Sequence, residues 1–194
     1  MRDEVQRIIM LNGPPGCGKD TWAKAFCDVY REASVIKFAG PIKSGLRAMY
    51  SISDEEWKRL ESPQEKEKPQ AIFQGLTTRE VQIKFGEGMR ELFGEGIFGW
   101  LAIRAIEKAL NKRVIILSDL GFPIELQMMR EHFGASKCVL VHCLRNGCSF
   151  ANDSRNFVEP EGVELQTLRN DGTEEELREK AWTEADLLRL SFGG

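Results

Sequence analysis

The apolar run Ile8-Ile9-Met10-Leu11 stops at Asn-Gly-Pro-Pro-Gly, and the residues Gly13-Pro14-Pro15-Gly16-Cys17-Gly18-Lys19 have the spacing G-x-x-x-x-G-K. A short apolar run cut off by turn residues reads as a buried strand meeting a tight loop. A helix is expected next, from Lys19 to Arg31, because Trp22, Ala25, Phe26 and Val29 share one face. A glycine-rich loop between a buried strand and a helix start can turn successive backbone N–H groups inward as an anion nest, and the helix N-terminus adds partial positive charge. Gly13, Gly16, Cys17 and Gly18 would form that cradle, and Lys19 would reach the outer phosphates of a nucleotide.

The rest of the chain fits around this unit. Ser34–Phe38, Val114–Ser118, Cys138–Leu144 and the weaker Val163–Leu168 read as four further strands, with helical stretches between them. Alternating strands and helices predict an α/β fold: a mostly parallel five-stranded sheet with helices on both faces, in three layers. Residues 1–194 read as one domain. Between the second and third strands lies a long helical insertion, residues 41–110. Ser53 with Glu56, and Thr77 with Glu80, have the spacing of capping boxes. Helices are expected at Thr78–Phe93 and Ile97–Leu110, separated by Gly94 and Gly96. The charged, proline-bounded piece Glu61–Gln70 reads as a mobile, solvated connector.

Charge and composition remove other classes. The chain carries 27 basic and 30 acidic side chains. Residues 1–150 hold 22 basic against 19 acidic groups, and residues 151–194 hold 5 against 11. With no basic arm or stripe, the chain does not read as one that lives on phosphate-backbone attraction. No apolar run approaches the length of a membrane span, and the start MRDEVQR lacks the basic and apolar regions of a signal peptide. Cys17, Cys27, Cys138, Cys143 and Cys148 form no CxxC pair, which suits a reducing, cytoplasmic setting. His142, Cys143 and Cys148 lack zinc-ligand spacing and read as a strand followed by a loop.

Position 20 departs from the usual phosphate-loop pattern. Asp20 stands where Ser or Thr would ligate magnesium, and Thr21, which follows it, is a further candidate for the nucleotide and for Mg²⁺. Asp20 could hold a magnesium-bound water or accept a proton. Asp119, at the end of the third strand, is the natural second carboxylate for Mg²⁺; its alternative role is a cap on the following helix.

The segments GPPGCGKDT, Phe38-Ala39-Gly40-Pro41-Ile42-Lys43, Thr78-Arg79-Glu80 with Gln82, Gly86-Glu87 with Arg90, and Ser118–Glu125 occur in that order. Together with Leu144-Arg145 and Asn170-Asp171-Gly172-Thr173, they resemble the deoxynucleoside monophosphate kinases of bacteriophages over most of the chain. Three positions depart from the family pattern: Gly121 stands for Arg, Ile124 for Asn and Gly40 for Asp. The lid lacks the family's His, and Asp153, Ser154 and Arg155 stand near its place.

The resemblance implies a P-loop kinase fold, with an acceptor-binding helical insertion after strand two and a lid at residues 145–160. The implied reaction is ATP + dNMP → ADP + dNDP with Mg²⁺. Lys19 and the loop amides would hold the donor phosphates, and Asn170 to Thr173, Gly172 included, would lie beside the adenine. Arg145 and Arg155 would act as arginine fingers from the lid. Lys43, Arg79 and Arg90 would grip the acceptor phosphate, with Gln82, Glu87 and Trp100 nearby; Phe73, Phe85 and Trp100 are either base-stacking rings or core. One alternative is a kinase acting on a hydroxymethylated base, hydroxymethyluracil, in phage DNA, where Asp20 or Asp119 could serve as base. Another is a non-catalytic nucleotide-binding module. The expected partner is a small nucleotide acceptor in the cytoplasm (of the host cell, for a phage protein), with no membrane; a homodimer is compatible with the sequence.

Overall fold

The computed structural model describes residues 5–109, 111–151, 153 and 155–192. Strands β1 (Arg7–Asn12), β2 (Ala33–Ile36), β3 (Val114–Leu117), β4 (Cys138–Leu144) and β5 (Glu164–Arg169) form one sheet in the order β2-β3-β1-β4-β5. Every neighbouring pair is parallel. Each expected strand is present within two residues of its expected bounds. Parallel strands need crossovers, and helices supply them. These are α1 (Lys19–Val29), α2 (Gly40–Met49), α3 (Asp54–Leu60), α4 (Thr78–Phe93), α5 (Ile97–Lys108) and α6 (Pro123–Phe133), with α7 (Glu174–Phe192) after β5.

The central strands are apolar along their length because both faces are covered. On one face Ile9, Leu11, Ile116, Val139, Val141 and Cys143 meet Trp22 and Phe26 of α1, and Leu177, Ala181 and Ala185 of α7. Burying a side chain such as Phe26 is worth roughly 1.5–3 kcal/mol. From the other side α6, with Leu126 and Met129 buried, packs against β4. Edge strand β5 alternates exposed and half-buried residues, which explains its weaker sequence signal. No described helix is long and apolar enough to cross a membrane.

The chain divides into two compact units: Met1–Phe38 with Gly99–Gly194, and Ala39–Phe98. The first is the sheet unit. The second is helical and shorter than the expected 41–110 insertion, because α5 from Gly99 onward belongs with the sheet. Leu110, the expected end of that helix, lies outside the described residues.

Within the helical unit, α2 lies against α4. A Cβ at Gly45 would sit 3.0 Å from the Phe85 ring, and one at Gly86 would sit 3.0 Å from Ile42 Cδ1, so these small residues allow the close approach. Ser53 caps α3 by accepting from the Glu56 amide, and Thr77 and Glu80 complete a reciprocal capping box on α4. Phe73 is core, edge-on to Tyr50 at 5.1 Å.

The connector Glu61–Gln70 keeps Pro63, Gln64, Glu67, Lys68 and Pro69 exposed, as its charge suggests, and is held in turns. The Gln70 amide donates to Leu76 O, Pro69 bridges Thr77, and the buried Gln70 side chain donates to Glu65 O and Lys68 O. Its charges pair locally, as in Glu65 with Lys68 at 2.8 Å. Turn hydrogen bonds of this kind leave no periodic trace in a sequence.

Candidate functional site

The loop between β1 and α1 has the backbone its glycines imply. Gly16 and Gly18 have φ of 78° and 100°, a region that side chains with a Cβ avoid. Gly18 also caps α1, and the Asn170 side chain presses so close that a Cβ would collide with it. Lys19 Nζ donates to Gly13 O at 2.6 Å and Pro14 O at 2.8 Å, and lies 3.4 Å from Cys17 Sγ. The buried Cys17 thiol is lowered to about 6, first by its hydrogen bond with Cys143 and then by the Lys19 ammonium, against the effect of burial.

Beside the loop, Gly18, Thr21, Arg145, Asn170 and Gly172 line one crevice of about 120 Å³, together with Glu174 and Leu177. Asn170 sets its wall: its Nδ2 donates to Cys17 O at 3.0 Å, and its amide donates to Leu144 O at 2.8 Å. Arg145 Nη1 reaches Gly16 O at 3.3 Å. Thr173 and Glu176 exchange side-chain and backbone hydrogen bonds and so cap α7. Four residues expected at the nucleotide, Gly18, Thr21, Asn170 and Gly172, thus line one crevice with Arg145, expected as an arginine finger.

The carboxylates lie toward β2 and β3. Asp20 Oδ1 accepts from Ser118 Oγ at 2.7 Å, and Oδ2 pairs with Lys37 at 2.8 Å. Desolvation alone would raise the Asp20 carboxyl, but Lys37, Ser118 and Lys19 together hold it below the ordinary value. Asp119 Oδ1 accepts from the Phe38 amide at 2.8 Å, joining the ends of β3 and β2. It is not the cap of α6, whose first turn is closed instead by Glu125. Thr21 lines the crevice with Asn170, away from this carboxylate side, because adjacent helical residues diverge by about 100°. The Asp20 and Asp119 carboxylates and the Ser118 hydroxyl are hard oxygen donors of the kind Mg²⁺ takes, and Lys37 is the resident counter-ion of Asp20.

Arg155 is held by Asp153, whose carboxylate accepts from its Nε at 2.8 Å and Nη2 at 2.6 Å. Ser154 lies outside the described residues. Asn12, the last residue of β1, is fully buried; its Nδ2 donates to Leu120 O and Asn156 O, and its Oδ1 accepts from the Val158 amide.

The helical unit gathers a second group. Lys43 pairs with Glu61 at 2.5 Å, Gln82 donates to the same carboxylate at 3.1 Å, and Arg79 lies 3.7 Å from Glu67. Lys66 is in this cluster too; burial, then the charge of Lys43, lowers its pKa. Arg90 lies over the Phe98 ring at 4.8 Å. Glu87 is exposed. Trp100 belongs to the sheet unit, exposed, with Arg104 over its ring at 5.8 Å.

Asn12, Lys37, Ser118, Asp153, Glu61 and Lys66 carry contacts that their places in the sequence did not assign them. The first three had a signal: they are polar residues at the C-terminal ends of apolar strands, where ligands of open parallel sheets bind. The others lie in irregular segments with no periodicity to mark them.

No family model matches the chain, and no curated protein matches it. Among solved structures, it is similar to a sugar kinase from Janibacter sp. HTCC2649, at 15% identity over 94% of this chain and 95% of that one, with a TM-score of 0.44. It is also similar to thymidylate kinase from Candida albicans, at 10% identity over 95% of this chain and 93% of that one, with a TM-score of 0.44. Likeness at this level says nothing about activity.

Proposed function

We propose that the protein is an ATP- and Mg²⁺-dependent phosphotransferase that converts deoxynucleoside monophosphates to diphosphates. The observation that carries this reading is the Gly13–Lys19 loop, left-handed at Gly16 and Gly18, with Lys19 inside its curve and the Asn170 crevice beside it. Phosphoryl transfer asks a protein mainly for positioning and for neutralising charge.

Lys19 and the loop amides take the donor phosphates, while Gly18, Thr21, Asn170 and Gly172 take the nucleoside end. Asp20 and Asp119, with Ser118, would hold Mg²⁺. That ion neutralises charge on the phosphates when bound. Arg145 and Arg155 supply positive charge to the transferring group. Lys43, Arg79 and Arg90 take the acceptor's phosphate, since guanidinium forks and ammonium groups suit that anion. A monophosphate acceptor is already an anionic nucleophile and needs no general base.

The test incubates the protein with labelled Mg-ATP and, separately, each dNMP, each NMP and duplex DNA containing hydroxymethyluracil. Labelled dNDP is the expected product, absent in Lys19→Ala. Label entering DNA with no monophosphate product would replace this reading by a hydroxyl acceptor. Nucleotide binding without transfer to anything would leave a non-catalytic module.

A further inference from the structure

Gly121 is buried, and its backbone does not call for glycine, since its φ lies outside the left-handed region. Space calls for it. A Cβ at position 121 would lie 2.5 Å from Arg155 Cδ and 3.1 Å from Cγ, so the Arg155 stem occupies the volume that a side chain would need.

Neither partner is free to slide away. Glu125 accepts from the Gly121 amide at 3.0 Å and the Phe122 amide at 3.1 Å, which pins that turn. Asn12 donates to Leu120 O, one residue before Gly121, at 3.0 Å, and to Asn156 O, one residue after Arg155, at 3.2 Å. One buried side chain therefore ties both backbones to the end of β1. The Arg155 head is fixed as well. Asp153, its carboxylate side chain 5% exposed, takes Nε and Nη2, while the Arg155 side chain remains 29% exposed. Nη1 makes no hydrogen bond to any described residue. The Asp119 carboxylate at the end of β3 is near enough for its charge, with that of Asp153, to act on the Arg155 guanidinium, so this packing adjoins it.

We propose that Gly121 is a positioning residue: its missing side chain seats Arg155 beside Asp119, so the guanidinium offers its Nη1 edge to a phosphoryl group as a fixed donor rather than one carried in on a moving lid. The proposal rests on the phosphotransferase reading for the ligand. The seating of Arg155 stands on packing alone.

Two cycles test it. In the first, kcat and acceptor KM are measured for Gly121→Ala, Arg155→Met and the double variant. A missing transition-state donor costs about 10²–10³-fold in kcat, so Gly121→Ala and Arg155→Met should each lose at least about tenfold in kcat. Acceptor KM should stay within about threefold, and the double variant should be no slower than Arg155→Met. In the second, Tm is measured for Gly121→Ala in the wild-type and Arg155→Ala backgrounds. Gly121→Ala should lower Tm in the first background and leave it unchanged in the second, where the stem is gone. Multiplying kcat losses, a Gly121→Ala enzyme within twofold of wild-type kcat, or equal Tm losses in both backgrounds would overturn the proposal. If the wild type transfers phosphate to no acceptor, the function reading falls, and the unfolding cycle decides the seating of Arg155 by itself.

Discussion

Replacing Asn12 by Leu changes little volume but removes one acceptor and two donated hydrogen bonds from the centre of the sheet unit. The Val158 amide and Leu120 O belong to residues that are each 2% exposed, so water cannot replace the lost partner. Asn156 is exposed, and its carbonyl can turn to solvent. A buried polar group left unpaired costs about 1–3 kcal/mol, so two of them cost roughly 4 kcal/mol. For a chain of this size 1 kcal/mol moves Tm by about 2–4 °C, which gives a fall of roughly 8–16 °C. Thermal unfolding followed by circular dichroism reads this directly, and the urea midpoint should drop with an unchanged slope. Amide exchange at Val158 should accelerate while that at Ile9 and Ile116 keeps its rank. A Tm loss under about 2 °C, or unchanged protection at Val158, would refute the claim that Asn12 ties these loops to β1.

Gly18→Ala should lower Tm by at least about 3 °C, because a side chain at φ 100° costs about 1–2 kcal/mol before any clash with Asn170; an unchanged Tm would contradict the geometry. Cys17 adds a pH dependence. Its thiol is lowered from 9.0 to about 6 in the folded chain, so the unfolded chain binds more protons between those values. Stability linked to Cys17 is then complete above about pH 9 and is lost as pH falls through about 6. Urea midpoints should therefore rise with pH across that window more steeply in the wild type than in Cys17→Ser, and parallel lines would refute the assignment. Lys43→Met should raise the acceptor KM about tenfold while leaving the KM for ATP within about twofold, the worth of one lost phosphate contact being about 1.4 kcal/mol. Initial-rate measurements with each substrate varied in turn decide this.

The loop and its neighbours show how far local pattern carries. Gly13 to Lys19 is legible because one short segment contains the strand end, the turn and the helix start, so spacing alone implies the anion nest. The caps at Ser53 and Thr77 are legible for the same reason, as their partners lie three residues away. Residues such as Asp119 could be named from the sequence but not given their contacts. Asp119 accepts from Phe38, 81 positions earlier in the chain, and nothing local distinguishes that from a helix cap. The charge of Glu61–Gln70 reports its solvation, whereas its turns come from hydrogen bonds that no periodicity marks.

By itself the sequence determined the elements, their alternation and the phosphate loop, since these depend on periodicity and on interactions between residues a few positions apart. Tertiary structure alone decided which distant groups meet. It put Lys37 and Ser118 on Asp20, Asp153 and Gly121 around Arg155, and Asn12 between two loops. Parallel strands bring their C-terminal ends together whatever the length of chain between them, so these contacts arise from the order of strands in the sheet, which no local pattern encodes.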